Sequence, residues 1–261
     1  MKKNYIIYYL KKINNFCCEY IFDPVLFVQK IFCFTFFVRN LFSYNRSSKG
    51  KAFQVSYLNL YYRSFDRYKP AGSGLGHYFL QDLWAARILY KRGIKEHVDV
   101  GSRLDGFIGN ILPFCKVEFI DIRPLKVQVG SLRFKQGSIC RLPFLDSSVG
   151  SISSLHVIEH VGLGRYGDPI DPEGHLKAAG ELSRVLKTGG MLLISVPVGK
   201  EKLYFDGHRI FDPNTILSMF AGLKLVEFSL IDDHGKAVMH NAPISLAQKC
   251  SYGCGLFIFE K

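Results

Sequence analysis

The chain has 261 residues, 48% of them apolar and 21% charged, which suits one substantial domain plus an appendage and excludes a disordered chain. Net charge is +12 and uneven: residues 1–70 carry 12 Lys/Arg against 3 Asp/Glu, and the remainder carry 22 against 19. The basic excess therefore belongs to the N-terminal segment, and no nucleic-acid partner is expected.

Two explanations of that excess stand side by side. One is compositional bias, since Lys, Asn, Ile, Phe and Tyr are all abundant there. The other is an anionic neighbour, such as a lipid surface or a phosphate-bearing substrate. Seven cysteines are present, two of them adjacent (Cys17 and Cys18), and no spacing resembles a zinc framework. Reduced thiols and a cytoplasmic location follow. The apolar run YIIYYL is cut short by Lys11 and Lys12, so no signal peptide is expected.

In chain order, Ile21–Phe42 comes first. It is apolar on nearly every face but contains Asp23, Lys30 and Arg39. A spanning helix needs about twenty mostly apolar residues, and a central lysine is costly there. An interfacial helix on anionic lipid, or a helix packed on the main domain or a partner, is preferred over a span. Residues 43–51, SYNRSSKGK, read as a polar linker. The domain division is thus 1–70, a basic aromatic extension, and 71–261, an α/β domain. Ala71–Gly76 reads as a glycine-rich turn. In the helix that follows, over 77–93, Phe79, Leu80, Leu83, Trp84, Ile88 and Leu89 form one broad face, and Gly93 stops it. Strands are predicted near 97–100, 116–121, 132–135, 150–155, 190–197, 223–231 and 255–260. Helices are predicted near 104–112, 174–187 and 213–220. Such alternation implies a mostly parallel sheet covered on both faces.

Within this pattern, HVDVGSRLDGFIGNILPFCKVEFID (97–121) is strand, glycine turn, helix, strand, with Asp121 about twenty residues after the first strand. That arrangement suits a nucleoside cofactor: glycine lets the backbone approach the ligand and the acid accepts from ribose hydroxyls. Gly101–Gly106 also fits half of a phosphate loop, but Phe107 and Ile108 stand where lysine and Ser/Thr are needed, which excludes a nucleotide triphosphatase. Arg103 stands where a nicotinamide fingerprint needs its second glycine.

Three later runs carry a resemblance. These are Leu142-Pro143-Phe144, Val157-Ile158-Glu159-His160-Val161 and Arg184-Val185-Leu186-Lys187-Thr188-Gly189-Gly190. In this order they resemble the class I S-adenosylmethionine-dependent methyltransferases over about residues 76–261. HYFLQD (77–82), DVGSRLDG (99–106) and the terminal GLFIFEK further resemble a family of unknown function within that fold, one associated with surface-polysaccharide genes. The resemblance implies a Rossmann-like, mostly parallel seven-stranded sheet whose last strand is inserted antiparallel. It implies S-adenosylmethionine across the carboxyl ends of the first two strands. Asp99 and Gly101 would frame its methionine end, Asp121 its ribose, and Ser138 and Ile139 its adenine. Leu155 and His156 would follow strand four, where the methyl group is presented. The chain departs from the family at Arg103 and Asp105, which replace glycines, at Ser138, which replaces an acid, and at Gly150. Arg103 either pairs with the cofactor carboxylate or fills its space.

His156-Val-Ile-Glu159-His160 has the helical spacing of a metallopeptidase, but it follows a serine-rich strand and precedes a glycine loop. A divalent-cation site with His208 is the subtler alternative. The preferred reading assigns no metal ligand. Gly162–Asp171 reads either as a substrate lid with Arg165, Tyr166 and Asp168 as contacts or as a variable connection. Tyr204–Arg209 reads as a substrate-facing or an ordinary solvated loop.

The expectation is methyl transfer from S-adenosylmethionine to a small-molecule, glycan or lipid-linked sugar acceptor, with His156, His160 or His208 as base. A non-catalytic binding or scaffold domain is the alternative, favoured by the lost glycines. A metal-dependent enzyme using the HxxEH group is the third. Residues 1–70 are expected to touch membrane peripherally. Acceptor and oligomeric state are not legible.

Overall fold

The computed structural model describes residues 24–50, 53–60 and 76–261. YIIYYL, Asp23, Cys17, Cys18 and most of the Ala71–Gly76 turn lie outside them. The described residues belong to two units, one within Met1–Ser73 and one within Gly74–Lys261.

In the first unit, helix α1 spans Pro24–Ser47. It overruns the linker expected over 43–51. The serines there bond back inside the helix: Ser47 Oγ donates to the Ser43 carbonyl at 2.8 Å. The chain turns at Gly50, whose φ of 71° suits the end of a helix. Phe27, Val28, Ile31, Phe32, Phe34 and Phe42 are exposed on α1. Among the described residues, no helix is long and apolar enough to cross a membrane.

In the second unit, α2 (His77–Lys91) leads into β1 (Glu96–Val100). A π-helical turn, Leu104–Ile108, runs into the short α3 (Gly109–Ile111), then β2 (Lys116–Asp121) and β3 (Leu132–Gln136). After β4 (Val149–Leu155) come a 3-10 turn (Ile158–His160), α4 (Gly174–Val185) and β5 (Leu186–Val198). The loop expected after strand five contains a hairpin, β6 (Lys202–Tyr204) with β7 (His208–Ile210). Then follow α5 (Pro213–Met219), β8 (Lys224–Ile231), α6 (Ile244–Ala247) and β9 (Gly253–Glu260).

Seven strands form one sheet in the order β3-β2-β1-β4-β5-β9-β8. The first five are parallel, and β9 runs antiparallel between β5 and β8. This is the class I methyltransferase fold, with the last strand inserted antiparallel. Alternation along the strands sorts side chains to two faces. Leu192, Ile194, Phe257 and Phe259 pack with Ala178, Leu182 and Ile216 of α4 and α5 on one. Leu193, Leu256 and Ile258 pack with Trp84, Ala85, Leu89 and Phe107 on the other. Helices therefore cover both faces, and the order reverses between β1 and β4, where such sheets open a ligand crevice.

The buried face of α2 differs from its apolar pattern. Gln81 and Asp82 are buried while Phe79 is exposed. The polar pair faces partners rather than solvent: the Gln81 carboxamide oxygen accepts from Ser195 Oγ at 2.6 Å. Gly106 leaves room for Asp82, whose Oδ2 would sit 2.1 Å from any Cβ there. The second turn of α2 thus serves the polar layer under the crevice as well as the apolar core.

Candidate functional site

At the carboxyl ends of β1, β2 and β4 lies a cavity of about 370 Å³. Gly101, Arg103, Asp121, Ser138, Ile139, His156 and His160 all line it. Two expected residues do not. Asp99 is fully buried beneath the turn, and His208 stands off the wall with its ring 6.4 Å from that of His160.

Asp99 fastens the turn instead of framing a ligand. Its carboxylate accepts from the Ser102 amide (3.0 Å), Ser102 Oγ (2.7 Å) and Ser153 Oγ (2.5 Å). Ser153 in turn meets His97 Nε2 at 2.8 Å, and Ser151 meets His97 Nδ1 at 2.7 Å. Burial pushes the Asp99 carboxyl up to about 7 and the His97 imidazole down to about 3. Burial likewise pushes Asp82 up to about 6. Gly101 has a φ of 77°, and a Cβ there would meet Val157 Cγ1 at 2.9 Å, so both backbone and space require glycine. Its amide donates to the Ile120 carbonyl at 2.8 Å, tying the ends of β1 and β2.

Asp121 is already engaged. Its Oδ1 accepts from the Arg123 amide (2.8 Å) and Nε (3.0 Å), and Oδ2 accepts from Nη2 (2.7 Å). The same guanidinium lies 4.8 Å from the Tyr166 ring centre. Arg103 behaves similarly, pairing with Asp105 and lying 5.3 Å from the Tyr78 ring centre. It borders the cavity rather than filling it.

The end beyond β4 is built from histidines. His156 is buried, and its φ of 54° is uncommon for a residue with a side chain. Hydrogen bonds from its amide to the Ser195 carbonyl (2.9 Å) and Oγ (3.0 Å) hold it there. His156 Nδ1 lies 2.7 Å from Glu159 Oε1. Burial opposes protonation of His156, but the Cys254 sulfur and the Glu159 carboxylate outweigh it and hold the pKa well above the ordinary imidazole value. His160 Nδ1 meets the Gly207 carbonyl at 2.6 Å. A carbonyl only accepts, so Nδ1 carries the proton and Nε2 of the neutral ring keeps its lone pair. Burial, with a contribution from His160, lowers the pKa of His208.

Among the described residues, no three His, Cys, Asp or Glu side chains are grouped to hold an ion. Glu159 bonds His156 but lies 3.7 Å from His160 Nε2, and His160 Nδ1 is committed to Gly207.

The 162–171 loop brings Tyr166, Asp168 and Asp171 to the cavity wall. Asp168 accepts from the Gly162 amide at 2.7 Å, while Arg165 donates to the Gly207 carbonyl at 3.0 Å. Of the Tyr204–Arg209 segment, Arg209 donates inward to the Val161 carbonyl at 2.7 Å. Sequence reasoning passed over Arg123, although it stands two residues after the strand-end acid. It also passed over Asp82, which the HYFLQD motif contains.

Residues 145–249 match the family described as Caenorhabditis protein of unknown function, DUF268. This agrees with the resemblance to a family of unknown function. No curated protein matches the chain. Among solved structures it is similar to the [4+2]-cyclase SpnF, with 14% identity over 68% of this chain and 80% of that one and a TM-score of 0.49. It is similar to the Burkholderia thailandensis 1,6-didemethyltoxoflavin-N1-methyltransferase with S-adenosylhomocysteine bound, with 14% identity over 70% and 79% and a TM-score of 0.49. It is also similar to the N-methyltransferase NodS of Bradyrhizobium japonicum, with 12% identity over 69% and 85% and a TM-score of 0.49. The fold assignment rests on the strand order and not on these likenesses.

Proposed function

We propose that the chain transfers a methyl group from S-adenosylmethionine to a hydroxyl on a small molecule, glycan or lipid-linked sugar, in surface-polysaccharide synthesis. The observation that carries this reading is the cavity at the carboxyl ends of β1, β2 and β4, with the Gly101 turn, Asp121 and Ser138–Ile139 on one wall and His160 on another. The residues fit a nucleoside cofactor. The cavity is about 370 Å³, within the usual range for small-molecule sites. Asp121 Oδ2 accepts one bond and keeps a lone pair for a ribose hydroxyl. Arg103 on the wall offers a cation to a carboxylate.

When bound, the cofactor supplies a methyl group already activated for displacement by its sulfonium. The chain has to align, exclude water and handle one proton. His160 Nε2 is the base for an acceptor hydroxyl, with Nδ1 anchored on Gly207. His156 holds its own proton against Glu159, and His208 is off the cavity wall, so neither serves.

Titration calorimetry of the full chain with S-adenosylhomocysteine tests this directly. The wild type should bind and Asp121→Ala should not, with an unchanged circular dichroism spectrum. Absence of wild-type binding at millimolar ligand would hand the site to the alternative, a non-catalytic binding or scaffold domain. The Arg123–Asp121 pair is the observation that favours that alternative.

For residues 1–70 we propose peripheral contact with anionic membrane from the cytoplasmic side. The exposed Phe27, Ile31, Phe32 and Phe42 of α1, beside Lys30, Arg39 and Arg46, support it. Sedimentation with phosphatidylserine vesicles should show binding that salt weakens and that deletion of 1–70 abolishes. Binding that resists high salt would reject electrostatic attachment.

A further inference from the structure

Arg123 joins two parts of the cavity that a cofactor and an acceptor would occupy separately. One edge of its guanidinium grips Asp121, the expected ribose partner, and its face covers Tyr166 of the 162–171 loop. We infer that Arg123 is a positioning residue that latches this loop over the cavity in the free chain, and that a ribose diol releases the latch by taking Arg123's place on Asp121. This inference rests on the nucleoside-cofactor reading given above.

Counting lone pairs makes the competition concrete. A carboxylate oxygen accepts about two hydrogen bonds. Asp121 Oδ1 already accepts two, from the Arg123 amide and Nε, whereas Oδ2 accepts one. A single ribose hydroxyl finds room on Oδ2. A diol spanning both oxygens finds room only if Nε withdraws. The amide bond stays, so the guanidinium leaves and the backbone does not move.

The loop is built to respond as a unit. Gly162, Gly164 and Gly167 all have φ near 80° (80°, 79° and 84°). Its base is closed by the Asp171 amide on the Gly162 carbonyl at 2.9 Å. Asp168 holds the interior, accepting from the Gly162 amide at 2.7 Å and the Tyr166 amide at 3.3 Å. Two contacts hold it on the β7 side: the Tyr166 ring edge-on to His160, with centres 5.5 Å apart, and Arg165 on the Gly207 carbonyl. The contact with Arg123 reaches the β2 side. Releasing it frees that side of the loop while the β7 side stays anchored beside His160. The consequence is an order of events: the cofactor enters first, and its ribose opens the way for the acceptor.

Hydrogen exchange on residues 162–171, read together with calorimetry, tests the latch in the full chain with S-adenosylhomocysteine as probe. In the wild type, the probe should accelerate exchange in the loop. Arg123→Met should accelerate it without probe and, with the competitor gone, bind the probe roughly fivefold more tightly, the scale of one exposed bidentate pair. Tyr166→Leu cuts the latch at its far end, together with the ring's contact on His160, and leaves Asp121 alone. It should accelerate loop exchange while keeping affinity within about twofold of wild type. The latch is overturned if the probe slows loop exchange in the wild type, if Arg123→Met weakens binding, or if Tyr166→Leu leaves the loop unchanged. If no form binds the probe, the cofactor reading itself is wrong and the latch falls with it.

Discussion

The two ends of the cavity are finished in opposite ways. Below β1 and β2, both strand-end carboxylates are satisfied. Asp99 takes three donors from Ser102 and Ser153, and Asp121 takes three from Arg123. Beyond β4, His156 Nε2, Glu159 Oε2 and His208 Nε2 are buried and, among the described residues, have no partner. Nearly all buried polar groups in folded proteins are paired, so an end that leaves several unpaired holds its polar capacity for something else. The uncommon φ of His156 belongs to the same end. At the first end, side-chain chemistry is committed to shaping the turn; at the second it is left open beside the proposed acceptor position.

The largest test of that contrast is Glu159. Glu159→Ala strands the His156 imidazolium in a buried site, and loss of one member of a buried ion pair costs about 3–5 kcal/mol. Asp121→Ala removes the partner of an Arg123 side chain that is 54% exposed, and should cost about 1 kcal/mol or less. Urea denaturation of both variants at neutral pH measures the difference, and equal losses would break the comparison. The pH dependence adds a sign. The pKa of His156 is raised in the folded chain, so its contribution is fully present below the unfolded value of 6.5 and is lost as pH rises through the folded value. Wild-type stability should therefore fall on the alkaline side, and Glu159→Gln should flatten that fall.

Under β1 the expected effect is a balance between neighbours. Asp99 is raised from 3.8 to about 7, so its contribution is present below 3.8 and is lost as pH rises towards 7. Asp82, raised from 3.8 to about 6, acts in the same direction. His97 is lowered from 6.5 to about 3, so its contribution is present above 6.5 and is lost as pH falls towards 3. Asp99 and His97, linked through Ser153, oppose each other over most of this window. Asp99→Asn removes one side of the balance. Its stability should then drop with acid across the window more steeply than that of the wild type, by on the order of 4 kcal/mol in total. Urea midpoints between pH 4 and 7 provide the measurement; parallel slopes for the two chains would deny that Asp99 and His97 balance.

The two ends were also unequally legible. The strand-end acid and glycine at Asp121 and Gly101 follow from spacing alone, because a turn between parallel strands that approaches a ligand requires small residues and an acceptor at fixed offsets. All seven sheet strands follow from alternation and composition. Residues 43–47 of the linker expected over 43–51 are helical, and this is hidden because serines that bond back to the preceding turn look like loop residues in sequence. Asp99 was legible as a motif residue but not as a buried fastener, since its partners Ser102 and Ser153 come from a turn and a distant strand. Arg123 was hidden for a related reason: its importance lies in touching both Asp121 and Tyr166, two residues 45 positions apart in the numbering. At the open end, HxxEH has the spacing of a helix, but the serine-rich strand before it and the glycine loop after it already argue against one. Ile158–His160 is a single 3-10 turn after a strand, so the three side chains do not share one helical face.

The smallest expected effect on stability sharpens the contrast within the satisfied end itself. Arg103 is paired with Asp105 through Nε and Nη2, at 3.0 and 2.7 Å, but the two side chains are 54% and 72% exposed. Solvent screens such a pair, so it contributes about 0–1 kcal/mol to folding. Arg103→Met retains the length of the side chain and much of its contact with Tyr78, and should shift the urea midpoint barely at all. Its effect should appear on ligand binding. If Arg103 meets the cofactor's amino-acid end, the variant should lose roughly tenfold in affinity for S-adenosylhomocysteine, the scale of one charge-assisted hydrogen bond. It should bind 5′-methylthioadenosine, which lacks that end, as the wild type does. Equal losses for the two ligands would place Arg103 at the nucleoside instead, and no loss for either would leave it a surface residue that merely borders the cavity. The satisfied end then divides into buried pairs that hold the turn and exposed pairs that are free to exchange partners when a ligand arrives.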